Sequence, residues 1–129
     1  MRWIELISAH AMHDLALWER GGAEGLRSPE LLESAMMRPQ MRRHYRAGQA
    51  SVPELAAAYA FGLIQDHPWV DGNKRTAFLV SGTFCEQNGY RFEAPETEVV
   101  AIFCAVAAGE ISEVGLAGWF ARHTRKVES

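Results

Sequence analysis

A break between two apolar helical stretches, within the segment Ser51 to Asn88, constrains the fold of this chain more than any other feature. Ser51-Val52-Pro53-Glu54 has the form of a capped helix start, and Leu55, Tyr59, Phe61, Gly62 and Leu63 behind it read as a largely buried helix. Pro68 disfavours helical angles at His67, so that helix stops there and leaves the imidazole at the mouth of a loop. Gly72 can take angles that other residues avoid, and Asp71 or Asn73 can cap a helix that starts beyond it. The next helix is therefore expected from about Asn73 to the Asn88-Gly89 stop, with Ala77, Val80, Phe84 and Cys85 facing inward.

The residues inside the break point to phosphate chemistry. The start of a helix presents free N–H groups and the positive end of a dipole, and Lys74 and Arg75 add two full charges there. Cations at that end oppose the dipole, a breach of a local rule that a bound phosphate would repair. Taken singly, Asp71-Gly72-Asn73 is an ordinary turn and a His before Pro an ordinary loop residue. Their joint occurrence favours a site. The nucleotide-binding P-loop is excluded, because Gly72 lies two residues before Lys74 with no earlier glycine in place.

In His67-Pro68-Trp69-Val70-Asp71-Gly72-Asn73-Lys74-Arg75 the chain resembles the Fic/Doc superfamily, whose central motif has the form H-x-F-x-[D/E]-G-N-[G/K]-R. Trp69 replaces the usual Phe with another large aromatic. Lys74, where the AMP-transferring members have Gly, resembles the Doc (death-on-curing) branch. So do Gly21 to Arg27 with Pro29 to Ala35, and Gly109-Glu110-Ile111-Ser112, in the same order. Two departures stand out: Phe78 occupies the position of a second motif Arg, and Gln65 stands about where Doc carries an extra Arg.

The resemblance implies an all-α, compact Fic/Doc-type helical bundle with the phosphate-binding loop between two central helices, and a single domain over residues 1–129. It implies a protein kinase of unusual fold, with ATP as substrate and Mg²⁺ as cofactor. In that role His67 is the general base for a target Ser or Thr hydroxyl, a transfer for which imidazoles suit neutral pH. Asp71 holds Mg²⁺, a hard cation that takes carboxylate and phosphate oxygens. The backbone at Gly72, Asn73 and Lys74 forms the anion hole, and the Lys74 and Arg75 side chains neutralise the transferring group. The Gly21 to Arg27 loop is the candidate clamp for the target backbone.

The resemblance further implies a toxin of a toxin-antitoxin pair that halts translation by phosphorylating elongation factor Tu. An inhibitory [S/T]-x-x-x-E-[G/N] segment is absent, since Arg20 precedes Glu24-Gly25 where Ser or Thr is needed. The expected partner is accordingly a small DNA-binding antitoxin whose C-terminal segment enters a groove of the toxin. Three rivals are AMP transfer by the same site, a metal-dependent nuclease using His67 and Asn73, and a non-catalytic nucleotide- or partner-binding module.

Composition fits these expectations. With 129 residues, 48% of them hydrophobic, the chain can bury one sizeable core. Thirteen Lys and Arg against 16 Asp and Glu give a net charge of −3, which disfavours direct nucleic-acid binding through phosphates. Cys85 and Cys104 lack metal-type spacing and read as reduced core thiols. Glu5 and Asp14 interrupt the first apolar run, no stretch reaches the length of a membrane span, and the expected compartment is the cytoplasm.

Helices are also expected at about residues 4–19, from Ser28-Pro29-Glu30, from Pro95 to Ala108 and from Ser112 to Thr124, with Arg91-Phe92-Glu93 extended. Arg38 to Ser51 reads as a polar connection, and its Arg42, Arg43, His44 and Arg46 as a solvated face. His10, His13 and Asp14 could approach a metal, but helix packing is the default. His44 and His123 are expected in solvent, and Trp3, Trp18 and Trp119 in the core or at an interface.

Overall fold

Ser28, Ser51 and Ser112 each start a helix. Their hydroxyl oxygens accept from the backbone N–H groups of Leu31, Glu54 and Gly115 at 3.2, 3.2 and 3.0 Å. Such caps satisfy donors that a helix start otherwise leaves open. The computed structural model describes residues 1–127. In chain order these form α1 (Leu6–Arg20), α2 (Pro29–Tyr45), α3 (Val52–Asp66), α4 (Asn73–Gln87), β1 (Tyr90–Phe92), α5 (Glu96–Ala107), α6 (Glu113–His123) and β2 (Thr124–Lys126). The expected helical bundle is observed, with the loop between two central helices. β1 and β2 add a small antiparallel ribbon in which Arg91 faces Arg125.

α3 runs through the middle and packs against α2, α4, α5 and α6. Leu55 to Ala60 are buried without interruption, as are Gly62, Leu63 and Ile64, so this helix has almost no solvent face. Its alanines let neighbours come close. At Gly62 a Cβ would lie 3.1 Å from Arg38 Cδ and 3.4 Å from Ala35 Cα, which places the α2 crossing at a residue without bulk. Phe61 is half-buried, not core, with the Arg38 guanidinium 5.3 Å above its ring. Ala77, Val80, Phe84 and Cys85 of α4 face inward as expected, and burial pushes the Cys85 thiol up to about 12.

Several expectations are corrected. Only residues 46–51 of the polar stretch form a connection: α2 continues to Tyr45 through Pro39, which lacks the N–H that would reach Ala35. Its Arg38, Arg42 and Arg46 are paired across helices, not merely solvated. Arg38 and Arg42 both donate to Glu113 of α6, and Arg42 and Arg46 lie 3.3 and 3.4 Å from Glu54 of α3. His44 is exposed, but His123 is tucked against the Trp119 carbonyl and 3.2 Å from Glu98. Cys104 is exposed, not a core thiol. Trp119 is core and Trp3 stacks on Phe84, whereas Trp18 is 85% exposed. No helix among the described residues is long and apolar enough to cross a membrane.

Candidate phosphate-binding site

α3 ends at Asp66, and His67 takes the left-handed conformation at φ 49° and ψ 57°, which turns the chain out of the helix. Pro68 and Trp69 are buried beneath it while the His67 side chain stays exposed. Asn73, the first residue of α4, closes the loop on itself. Its side-chain amide accepts from Trp69 N–H at 3.0 Å and donates to the Trp69 carbonyl at 2.8 Å. The Asn73 side chain is thus a staple of the loop, with its amide engaged by the Trp69 backbone.

Two other elements hold the loop. From the α1–α2 connection, Arg27 donates from Nε to the His67 carbonyl at 2.8 Å and from Nη2 to the Asp66 carbonyl at 2.7 Å. The N–H groups of Arg27 and Ser28 reach the Pro68 carbonyl, Val70 N–H reaches Gly25, and Leu26 bridges to Trp69. The backbone from Gly25 to Ser28 is therefore engaged with residues 68–70, and of the glycines in this connection Gly21 and Gly22 border the cleft. From α1, His13 lies face to face with Trp69 at 4.3 Å, and its Nε2 stands 2.9 Å from the Asp71 carbonyl. A carbonyl only accepts, so Nε2 carries the hydrogen. His13 accordingly serves packing and loop position. Among the described residues no group of three metal-capable side chains gathers, there or elsewhere.

Asp71 is exposed at the cleft edge. Its carboxylate accepts from Ala23 N–H at 3.2 Å and Gly72 N–H at 2.9 Å; these donors, with the charge of Lys74 adding, hold it below the usual carboxylate range. The approach is tight, since a Cβ on Gly22 (φ 126°) would lie 2.8 Å from Asp71 Oδ2. α4 starts at Asn73, after Gly72, with no side-chain cap and no acidic residue in its first turn. Its N-terminal N–H groups and dipole are left for an anion. Lys74 is exposed, whereas Arg75 is half-buried, 5.2 Å over the Phe78 ring and 3.7 Å from Glu19.

These residues border one open cleft of about 740 Å³. His67, Asp71, Gly72, Asn73, Lys74 and Arg75 all line it, so the structure brings together every residue singled out for the site. Apolar side chains complete the lining as a wall of Ile64, Phe78, Val99, Phe103 and Ala107. A cleft with a cationic rim and an apolar wall suits a phosphorylated ligand that has a flat apolar part. Arg20 and Glu96, also on the lining, were not anticipated, nor was the tie from Arg27 to His67. Each depends on chain segments far apart in sequence, and only the Gly21 to Arg27 run gave a hint.

Residues 3–85, which hold the helix, loop and helix of this site, match the family profile described as the Fic/DOC family. The chain belongs to the Fic/DOC family. It is 32% identical over 113 residues, 87% of each chain, to the protein named "Protein kinase doc" of Escherichia phage P1. It is also 36% identical over 74 residues, 57% of each chain, to "Toxin Doc" of Mycolicibacterium smegmatis. Both names place it in the Doc branch of the Fic/DOC family, as Lys74 suggested.

The Asp71 carboxylate alone fits the donor set that Mg²⁺ accompanying a nucleotide takes from a protein. Mg²⁺ keeps several waters and binds through one or two carboxylates plus substrate phosphates, not through an all-protein cage. Asp71 is exposed and favours the ionised form, and each of its oxygens retains lone pairs beyond the backbone bond it accepts.

Proposed function

We propose that this chain is the toxin of a toxin-antitoxin pair and acts in the cytoplasm as a protein kinase. It transfers the γ-phosphate of ATP to a Ser or Thr hydroxyl of elongation factor Tu and so halts translation. The observation that carries this reading is the convergence, on one cleft, of the exposed His67 imidazole, the Asp71 carboxylate and the cations Lys74 and Arg75 at the uncapped start of α4. The name of the phage P1 relative supports the kinase class, and that of the mycobacterial relative the toxin role.

In this mechanism the target hydroxyl oxygen attacks the γ-phosphorus as the bond to the β-phosphate oxygen breaks, and His67 takes the hydroxyl proton while ADP departs. Lys74, Arg75 and the N–H groups at the start of α4 stabilise the charge on the transferring group. Asp71 is the residue that would hold Mg²⁺, which when bound supplies further neutralisation of the phosphate oxygens. An antitoxin would cover the toxin until released, consistent with the lack of an inhibitory segment around Glu24.

The test is transfer of label from ATP to elongation factor Tu in the presence of Mg²⁺, with ATP labelled at the γ- or the α-phosphate. The expected outcome is γ transfer by the wild-type chain and none by His67→Ala. Movement of the α label would mean AMP transfer and overturn the use of Lys74, whereas transfer that survives His67→Ala would overturn the base assignment. Absence of both transfers would leave a different target or a binding module as the better reading.

A further inference from the structure

One ion pair of the cleft takes no part in phosphoryl transfer by His67. Arg20, the last residue of α1, meets Glu96, the first residue of α5, and both line the same cleft as Arg75. Their side chains are 54% and 64% exposed. An ion pair this open to water is weakly held, because solvent screens it and two long side chains lose freedom to form it. The Arg20 guanidinium can leave Glu96 at little cost.

The surroundings favour an anion there. Arg20's hydrogen bond and charge hold the Glu96 carboxyl below its usual range, and the charge of Arg75 contributes as well, so both guanidiniums act on the same region of the cleft. Arg75 is itself incompletely satisfied: its Nε is buried without a hydrogen-bond partner, and its Nη2 lies 3.7 Å from Glu19. Glu96 loses little if Arg20 departs, since it sits in the first turn of α5, where the helix dipole favours a carboxylate. A guanidinium binds phosphate through paired, charge-assisted hydrogen bonds, which are stronger than an exposed contact to one carboxylate oxygen.

We propose that Arg20 is a second binding residue for the polyphosphate chain of a nucleotide, and that Glu96 sets its availability by competing with the phosphate for the guanidinium. This assignment rests on the reading of the cleft as a phosphate site, but not on transfer taking place. Charge moves within the site as the ligand enters: Arg20 exchanges Glu96 for phosphate, while Lys74 and Arg75 keep their places in the first turn of α4.

The probes are ADP and inorganic tripolyphosphate, each titrated calorimetrically into the full chain and into Arg20→Gln, Glu96→Gln and the double variant. Both side chains are exposed, and unchanged thermal melts would show that the variants fold. Arg20→Gln is expected to weaken binding of both probes by about tenfold, the size of one charge-assisted contact. Glu96→Gln is expected to tighten binding several-fold, and the double variant to match Arg20→Gln, because Glu96 then has nothing to compete for. The proposal is overturned if Arg20→Gln binds like the wild type, if Glu96→Gln tightens binding equally with and without Arg20, or if no variant binds either probe. Binding that follows the expected pattern without label transfer to any protein would sink the kinase reading and leave Arg20 in its role.

Discussion

His67 sits in a backbone conformation that costs an L-residue about 1–2 kcal/mol, so its place depends on what holds the two carbonyls around it. Arg27 does so with two hydrogen bonds from one planar group. Arg27→Ala is expected to lower label transfer by about ten- to a hundredfold through a mispositioned base, while ADP affinity stays within about twofold. Arg27→Lys should not restore the rate, since an ammonium cannot reproduce the fork. An equal loss of ADP binding would instead mean that Arg27 supports the whole cleft. At this scale the sequence disclosed which side chains matter but not how they are held. Pro68 announced that His67 leaves the helix, whereas the left-handed angle, the Arg27 tie and the stacking of His13 on Trp69 are tertiary facts with no local signal.

Among the elements, α2 shows why polarity misleads. Its second half carries three arginines and a histidine around Pro39, which resembles a linker when its partners are unknown. Those partners are Glu54 on α3 and Glu113 on α6, and they turn a polar surface into a junction of three helices. Glu113, with its side chain 11% exposed, anchors both Arg38 and Arg42. Glu113→Ala is expected to cost about 1–3 kcal/mol, visible as a fall of several degrees in Tm, because Arg38 loses its acceptor and the half-buried Arg42 keeps only Glu54. Exposed Glu110→Ala should leave Tm within about a degree; equal effects at the two positions would show that the junction contributes nothing. The remaining helices were legible because serine caps, Ser-Pro starts and glycine stops are local chemistry. The pairing of β1 with β2 was not, since a three-residue strand leaves almost no pattern.

Across the whole molecule, the buried ionisable groups predict a limit on the alkaline side. Burial raises Tyr59 from 10.0 to about 12 and Cys85 from 9.0 to about 12. A raised folded-state pKa means that the stabilisation is complete below the ordinary value and is lost as pH rises through the folded one. Urea midpoints should accordingly hold to about pH 9 and decline towards pH 12. Tyr59→Phe should be less stable at neutral pH, because the phenol oxygen no longer accepts from Ile4 N–H, yet decline less steeply above pH 10. A wild-type midpoint that stays level to pH 11.5 would refute this. The same molecule has a clasp far from the cleft. Asn88 exchanges hydrogen bonds with both backbone groups of Arg2, and the next residue, Gly89, accepts from Val127 N–H. Residues 2 and 127 thus converge on one turn, and the described chain traces a nearly closed ring. A ring can be reopened elsewhere: joining those two points through a short peptide and cutting at the exposed Ala47-Gly48 turn would preserve every cleft residue in its surroundings, with the order of the helices rotated and the loop of residues 67–72 near the start of the chain.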